Sequence, residues 1–177
     1  MMSKQIRLSG SGGQGMLLAG IILSEAAILD NNNAVQTQSY GPEARGGASK
    51  SEVIISEQKI AYPKVTLPDI MLALTQEAYD KYSVDMNDNG LLVIDDTIKL
   101  SGNDKCEIIS IPIIQSARDV IGRVIVANII ALGALTNASG VVSKDALEKA
   151  VLKRVPKGTE ELNKKALQTG FELVANK

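Results

Sequence analysis

The stretch that most narrows the fold is GSGGQG, Gly10 to Gly15, because of what flanks it. Before it runs QIRLS (5–9), with Ile6 and Leu8 on one side of an extended strand. After it runs QGMLLAGIILSEAAIL (14–29), apolar on nearly every side apart from Ser24 and Glu25, which predicts a mostly buried helix. A strand, a glycine turn and a buried helix form the opening unit of an α/β protein. Glycine lets the backbone turn sharply and approach a ligand, and free N–H groups at the helix start can hold an anion.

The spacing G-x-G-x-x-G also fits a dinucleotide loop, which needs an acid at the end of the second strand to bind the ribose hydroxyls. AVQTQS (34–39) reads as that strand, and it offers Gln36, Gln38 and Ser39 instead; Asp30 falls in the preceding turn, DNNN. NAD is therefore a poor fit. A phosphate or backbone-contact role for the loop stands beside a plain alternative, a tight turn whose glycines only permit close packing.

Further on, strand-like and helix-like segments alternate. ASKSEVIISEQKI (48–60) reads as a long strand that turns back on itself near Ser56-Glu57 and supplies an antiparallel section. Buried strands are expected in DIMLALT (69–75), DNGLLVIDD (88–96) and CEIISIPII (106–114), with a helix at QEAYDKY. Three helices close the chain. One spans the apolar run 120–135 with Ser116 to Asp119 as its first turn; the others start at the hydroxyl caps Ser143 and Thr159. The expectation is one α/β domain over 1–177, a three-layer α/β/α arrangement on a mainly parallel, partly mixed sheet with a Rossmann-like glycine loop after the first strand.

Between the second and third strands lies SYGPEARGGASKSEVIIS, Ser39 to Ser56. Tyr40, Gly41, Pro42, Glu43, Arg45, Gly46 and Gly47 crowd more constraint into this loop than a turn needs. In a parallel sheet the ends of strands 1 and 2 share a rim, so Gly12, Gly13 and Gln14 are expected to face Tyr40–Gly47 across it. Arg45, followed by glycines, presents a planar donor fork suited to phosphate or carboxylate, or else pairs internally with Glu43.

Composition removes several functions. The 19 basic and 20 acidic residues leave a net charge of −1, without the basic excess of a nucleic-acid or membrane-surface binder. One cysteine, Cys106, cannot make an internal disulfide, a four-ligand zinc site or an iron–sulfur cluster, and it reads as a small buried hydrophobe. The absence of histidine removes the commonest general base. Asp95-Asp96 ends a strand, where a carboxylate pair can hold Mg²⁺, although a turn or helix cap explains it better. No secretory leader is read at the N-terminus, and the run 120–135 is short for a membrane span and carries Arg123 and Asn128, so a cytoplasmic location is expected. Two helices apolar all round, 14–29 and 120–135, hint at more apolar surface than one sheet covers, and hence at an obligate partner.

GSGGQG, followed after about 25 residues by SYGPEARGGASKSEVIIS, resembles the gamma subunit of 2-oxoacid:ferredoxin oxidoreductases, the pyruvate, ketoisovalerate and 2-oxoglutarate family. The likeness extends through GLLVIDD, NIIALGAL from Asn128, and ELNKKALQTG around Asn163; YGPEARGGASKSEVIIS…YP is most like the 2-oxoglutarate branch. The resemblance implies a complex that decarboxylates a 2-oxoacid with coenzyme A, giving acyl-CoA, carbon dioxide and reduced ferredoxin. Thiamine diphosphate with Mg and the iron–sulfur clusters would sit on partner chains, one thiamine diphosphate-binding and one ferredoxin-like. No catalytic or metal-binding residue falls to this chain. Gly10, Gly12, Gly13, Gln14, Gly15 and the Tyr40–Gly47 loop would touch partners, with coenzyme A as a neighbour of Arg45. Isolated, such a chain could self-associate through the surface meant for its partners. An indolepyruvate oxidoreductase subunit, a self-sufficient nucleotide- or flavin-binding reductase, and a plain α/β binding domain remain the other readings.

Overall fold

The structure is a computed structural model that describes residues 3–38, 47–102 and 104–176. Strand β1 (Lys4–Ser11) leads through the glycine loop into helix α1 (Met16–Leu29), and β2 (Asn33–Gln38) and β3 (Ala48–Ser56) follow. Then come β4 (Ile70–Ala73), α2 (Gln76–Tyr82), β5 (Leu91–Asp95) and β6 (Glu107–Ile111). Helices α3 (Ile113–Ser116), α4 (Ala127–Ser139), α5 (Lys144–Arg154) and α6 (Glu160–Ala175) complete the order.

The six strands form one mixed sheet in the order β2-β3-β1-β4-β5-β6. From β1 to β6 the pairs are parallel, whereas β3 runs antiparallel to both β1 and β2. The expected turn-back at Ser56-Glu57 does not occur; β3 ends at Ser56, and the antiparallel section is β3 itself, lying between β2 and β1. Because β1 and β2 both oppose β3, their C-terminal ends still reach one rim: Ser11 pairs with Ala48 and Gln38 with Ser51.

Both sheet faces are covered, but unequally. Ile6, Leu8, Ile70, Leu72 and Val93 point into a large core with α1, α4, α5 and α6. Met71, Ala73, Leu92 and Ile94 point to the other face, where α2 supplies Ala78, Tyr79 and Tyr82. This alternation on strands apolar on both sides is what a doubly covered parallel sheet requires. Residues 127–136 of α4 are all buried, and its densest packing is against α6. The apolar content of α4 is thus interior core, whereas Val120, Val124 and Ile125 ahead of it and Leu17, Ile28 and Leu29 on α1 leave apolar surface exposed.

The helix expected over 120–135 is broken. Residues 117–121 form a π turn, Gly122 takes φ 78°, residues 124–126 form a 3-10 turn, and α4 starts only at Ala127. Gly122 in the left-handed region stops the first segment, as glycine commonly does at a helix C-terminus. Asp95, fully buried, accepts from the backbone N–H of Ile114 at 2.8 Å and so caps α3, the structural role favoured for it. Ser143 caps α5 by accepting from the Ala146 N–H, but Thr159 makes no side-chain cap; its hydroxyl donates back to the Pro156 carbonyl. Among the described residues no helix is long and apolar enough to cross a membrane.

Candidate functional site: the glycine-loop rim and the cavity beneath it

The glycine loop is held from within. The Gln14 side chain folds back so that its Oε1 accepts from the Ser11 N–H at 2.7 Å. A Cβ on Gly10 would lie 2.5 Å from that oxygen, so Gly10 lets the Gln14 side chain fold close over the strand end. Gly15 takes φ 75° as the N-cap of α1, and a Cβ there would lie 2.5 Å from Asn128 Nδ2. That amide donates to the Gly15 carbonyl at 3.4 Å, bracing the loop from α4. Gly13, at φ 90°, has open space where a side chain would stand. Two of the loop's glycines therefore admit the protein's own amides, while Gly13 leaves backbone accessible from outside. Among the described residues α1 has no side-chain N-cap.

The loop meets the foot of the 39–47 segment: the Gly12 N–H donates to the Gly47 carbonyl at 3.0 Å. Next to it, Ala48 donates its N–H to Glu77 and accepts from the Tyr82 hydroxyl at 3.0 Å. Tyr40, Gly41, Pro42, Glu43, Arg45 and Gly46 lie outside the described residues. The expected placement of Gly12 beside Gly47 on one rim is observed. What the sequence reading lacked is the place of β3, between β1 and β2.

Beneath the loop is a cavity of about 400 Å³, enclosed by the first turn of α1, the 3-10 turn, the start of α4 and the segment joining α5 to α6. Gly13, Gln14 and Gly15 form one wall, and Asn128 and Asn163 line the interior at 5% and 4% exposure. Arg123 and Ile125, both exposed, stand at its edge. Sequence reading had these residues only as parts of a pattern or as marks against a membrane span. No local signal reveals that positions 35 residues apart, on α4 and α6, share one cavity.

A second feature also went unread. Arg7 on β1 is buried, with its guanidinium bonded to Glu52 at 2.8 Å, to the Tyr82 carbonyl at 2.8 Å and to Asp85. The hydrogen bonds and negative charges of Asp85 and Glu52 raise its pKa against the opposing effect of burial. Arg7 sits on a central strand, where a charge must be paired to be tolerated. Its partners lock β1, β3 and the end of α2 together near the loop foot.

Comparison with known proteins bears on this site. The family model for pyruvate ferredoxin/flavodoxin oxidoreductase matches residues 5–173. The chain belongs to that family. It is 53% identical to 2-oxoglutarate synthase subunit KorC of Methanocaldococcus jannaschii, over 97% of this chain and 94% of that one. The keto/oxoacid ferredoxin oxidoreductase gamma subunit from Geobacter sulfurreducens superposes with a TM-score of 0.92 at 52% identity, covering 99% of this chain and 98% of that chain. The likeness to gamma subunits read from the two loops is thereby borne out. The fold also recurs within 2-oxoglutarate:ferredoxin oxidoreductase from Magnetococcus marinus, solved with 2-oxoglutarate, coenzyme A and succinyl-CoA bound. There the TM-score is 0.90 at 21% identity, and the match takes up all of this chain and 32% of that one.

Membership settles the dinucleotide question less than the topology does. In a dinucleotide fold the second strand lies beside the first and brings its terminal acid to the glycine loop. Here β3 separates β2 from β1, and Gln36 of β2 is bonded to Ser51 of β3 at 2.9 Å.

Proposed function

We propose that this chain, as one domain over 1–177, is the gamma subunit of a 2-oxoglutarate:ferredoxin oxidoreductase. The complex would oxidise a 2-oxoacid with coenzyme A to acyl-CoA and carbon dioxide and pass the electrons to ferredoxin. The full-length match to a KorC subunit at 53% identity carries this reading. Thiamine diphosphate, Mg and the iron–sulfur clusters belong, on this proposal, to the partner chains: a single thiol cannot hold a cluster. Among the described residues no group of three or more acidic, cysteine or histidine side chains could hold a metal. This chain's part is assembly and contact, in a cytoplasmic complex. The Gly10–Gly15 and Tyr40–Gly47 loops, whose feet are joined by the Gly12–Gly47 hydrogen bond, would form the contact surface, with Arg45 beside partner chains or coenzyme A.

The test is an anaerobic pull-down of the tagged chain from its own cells. The eluate should show iron–sulfur absorbance and coenzyme A-dependent dye reduction with 2-oxoglutarate in preference to pyruvate, branched-chain oxoacids or indolepyruvate. Arg45→Ala should weaken assembly or raise the apparent KM for coenzyme A. A colourless, inactive eluate would refute the subunit reading, and an unaffected Arg45→Ala complex would refute the role of that loop.

A further inference from the structure

The sheet has two edges, and they are protected differently. At one edge β6 opens on Glu107, stops ahead of Pro112 and has α6 packed on it. At the other edge β2, NAVQTQ, holds neither a charge nor a proline and pairs with β3 without a bulge. Among the described residues its backbone is hydrogen-bonded on one side only, to β3. In an antiparallel pair every second residue turns its N–H and C=O away from the partner, so β2 presents a row of them outward. Natural sheets blunt such edges with lysine, proline or a bulge, and β2 has none of these. Helix α1, which lies on β2 and β3, is equally bare. Its one charged residue, Glu25, is held by Arg154 and Lys153 of α5. Leu17, Ile21, Ser24 and Ile28, spaced four, three and four residues apart, line its outer side, with Leu17 44% and Ile28 58% exposed. That spacing is the seam along which two helices pack, not a solvated face.

Strand and helix together point to a second copy of this chain as the occupant. Two β2 strands related by a twofold axis run antiparallel and can pair at the usual spacing of about 4.8 Å. Because α1 packs on both β2 and β3, its helix axis lies over the gap between them, half a spacing inside β2. The symmetry axis lies half a spacing outside β2. The two α1 helices therefore come about 9.6 Å apart, within the roughly 8–10 Å at which helices pack. Apart from the paired Glu25, neither element carries a charge that the copy would oppose with its like. Gly20 lies over Gln36, near the middle of β2, so the symmetry axis passes α1 near position 20 and sets Leu17 against Ser24 of the second copy. We propose that the β2 edge and the outer stripe of α1 form an isologous dimer interface, in which two six-stranded sheets join into one. One strand and one helix make a strip of roughly 20 Å by 20 Å, about 400 Å² per copy. That is half a standard interface, so the dimer of the chain alone is weak, with Kd between about 1 and 100 µM. The surface lies wholly within this chain, and the inference does not rest on the subunit reading.

The experiment is sedimentation equilibrium of the full-length chain from about 1 to 300 µM, a range that brackets this Kd. The mass is expected to rise from 18.8 kDa toward twice that value. Leu17→Glu puts two carboxylates into the join and should weaken the dimer about tenfold or more. Leu17 is exposed, so the far-ultraviolet dichroism should be unchanged. Adding Ser24→Lys to Leu17→Glu sets an ammonium against each carboxylate across the axis and should restore the dimer; a variant merely damaged in folding would not be rescued. Amide exchange in the segment 33–38 should slow as the concentration rises, because the outward N–H groups then find acceptors. A chain that stays monomeric at the highest concentration would overturn the proposal, as would a dimer indifferent to Leu17→Glu. Exchange in 33–38 that slows only when other subunits are bound would also overturn it and would assign the edge to one of them. The pull-down is read separately. A chain that dimerises but brings down no partner refutes the subunit reading alone, and one that assembles but never dimerises refutes this interface alone.

Discussion

Gly170→Ala sets two effects of opposite sign against each other. In the middle of α6, replacing glycine by alanine should gain about 1 kcal/mol of helix propensity. At this position, however, a Cβ would fall well inside 3.0 Å of the Ile130 carbonyl oxygen and 2.9 Å from the Ala134 backbone nitrogen, both on α4. These are backbone atoms, so no rotamer change relieves the clash. Helix α6 must move off α4 until carbon and oxygen reach an ordinary contact of about 3.3 Å or more. A displacement on the order of 1 Å forfeits a quarter to a half of each van der Waals well along the contact. That contact includes the buried Ile130, Ala134, Ala166, Leu167 and Phe171. Overpacking costs about 1–3 kcal/mol where side chains can adjust, and the upper end applies here because they cannot. After the propensity gain, a net loss of about 2 kcal/mol is expected. For a chain of this length that lowers the melting temperature by about 4–8 °C. Thermal unfolding of the purified chain followed by circular dichroism measures it. Gly133→Ala, whose Cβ would meet the Leu167 carbonyl from the other side, should behave alike. The double variant should lose less than the sum, since one separation serves both. A Gly170→Ala chain that melts at or above the parent temperature would refute the reasoning, because propensity alone would then have decided the outcome.

Gly15→Ala should cost about 1–3 kcal/mol, since φ 75° strains an L-residue and its Cβ would displace the Asn128 amide; a denaturant titration with an unshifted midpoint would contradict it. The Cys106 thiol is pushed up by burial first and by the Asp104 charge second. Alkylation by iodoacetamide at pH 7 should therefore be slow and should keep rising past the ordinary thiol value of about 8.5; a plateau below that pH would exclude a protected thiol. A hydrogen bond from Arg154 lowers the pKa of Glu25, against burial and with help from the Arg154 and Lys153 charges. A depressed carboxylate stabilises the fold above its unfolded value of about 4.3 and loses that contribution as pH falls through the folded value. Glu25→Gln should therefore be slightly less stable than the parent at pH 7 and equal to it in acid; a gap that persists in acid would show that the pair is not the cause.

The local elements were legible because their signals are local. QEAYDKY is α2 to the residue, Gln76–Tyr82, with Thr75 accepting from the Ala78 N–H as its cap. The apolar runs at 69–75, 88–96 and 106–114 each contain a strand of the sheet. What stayed hidden is what depends on partners distant in the chain. Nothing in AVQTQS says that it pairs with β3 rather than β1, because register and neighbour are set by tertiary packing. Ile6 and Leu8 mark one face of β1, but nothing local says that Arg7 on the other face is also interior; only α2 lying on that face reveals a second interior. The break at Gly122 was masked by apolar residues on both sides, which keep the helical pattern while the backbone leaves it.

The placement of β3 also bears on what the glycine loop is for. In a dinucleotide protein the loop works together with the neighbouring second strand, and both contact one ligand. Here that neighbour is β3, antiparallel, and its first residue Ala48 stands at the rim beside Ser11. The ribose-binding position is thereby replaced by the foot of the 39–47 segment, tied to Gly12 on one side and to Glu77 and Tyr82 on the other. A loop built this way offers two surfaces. Its outer side meets the foot of the 39–47 segment at Gly47. Its inner side forms one wall of the cavity that Asn128 and Asn163 also line. Gly10 and Gly15 are occupied by the protein's own amides, so the loop is stiffened against the core and both surfaces are set before anything binds. Stiffening of that kind lowers the ordering cost of association, and it gives the glycine spacing a reason that dinucleotide binding does not supply.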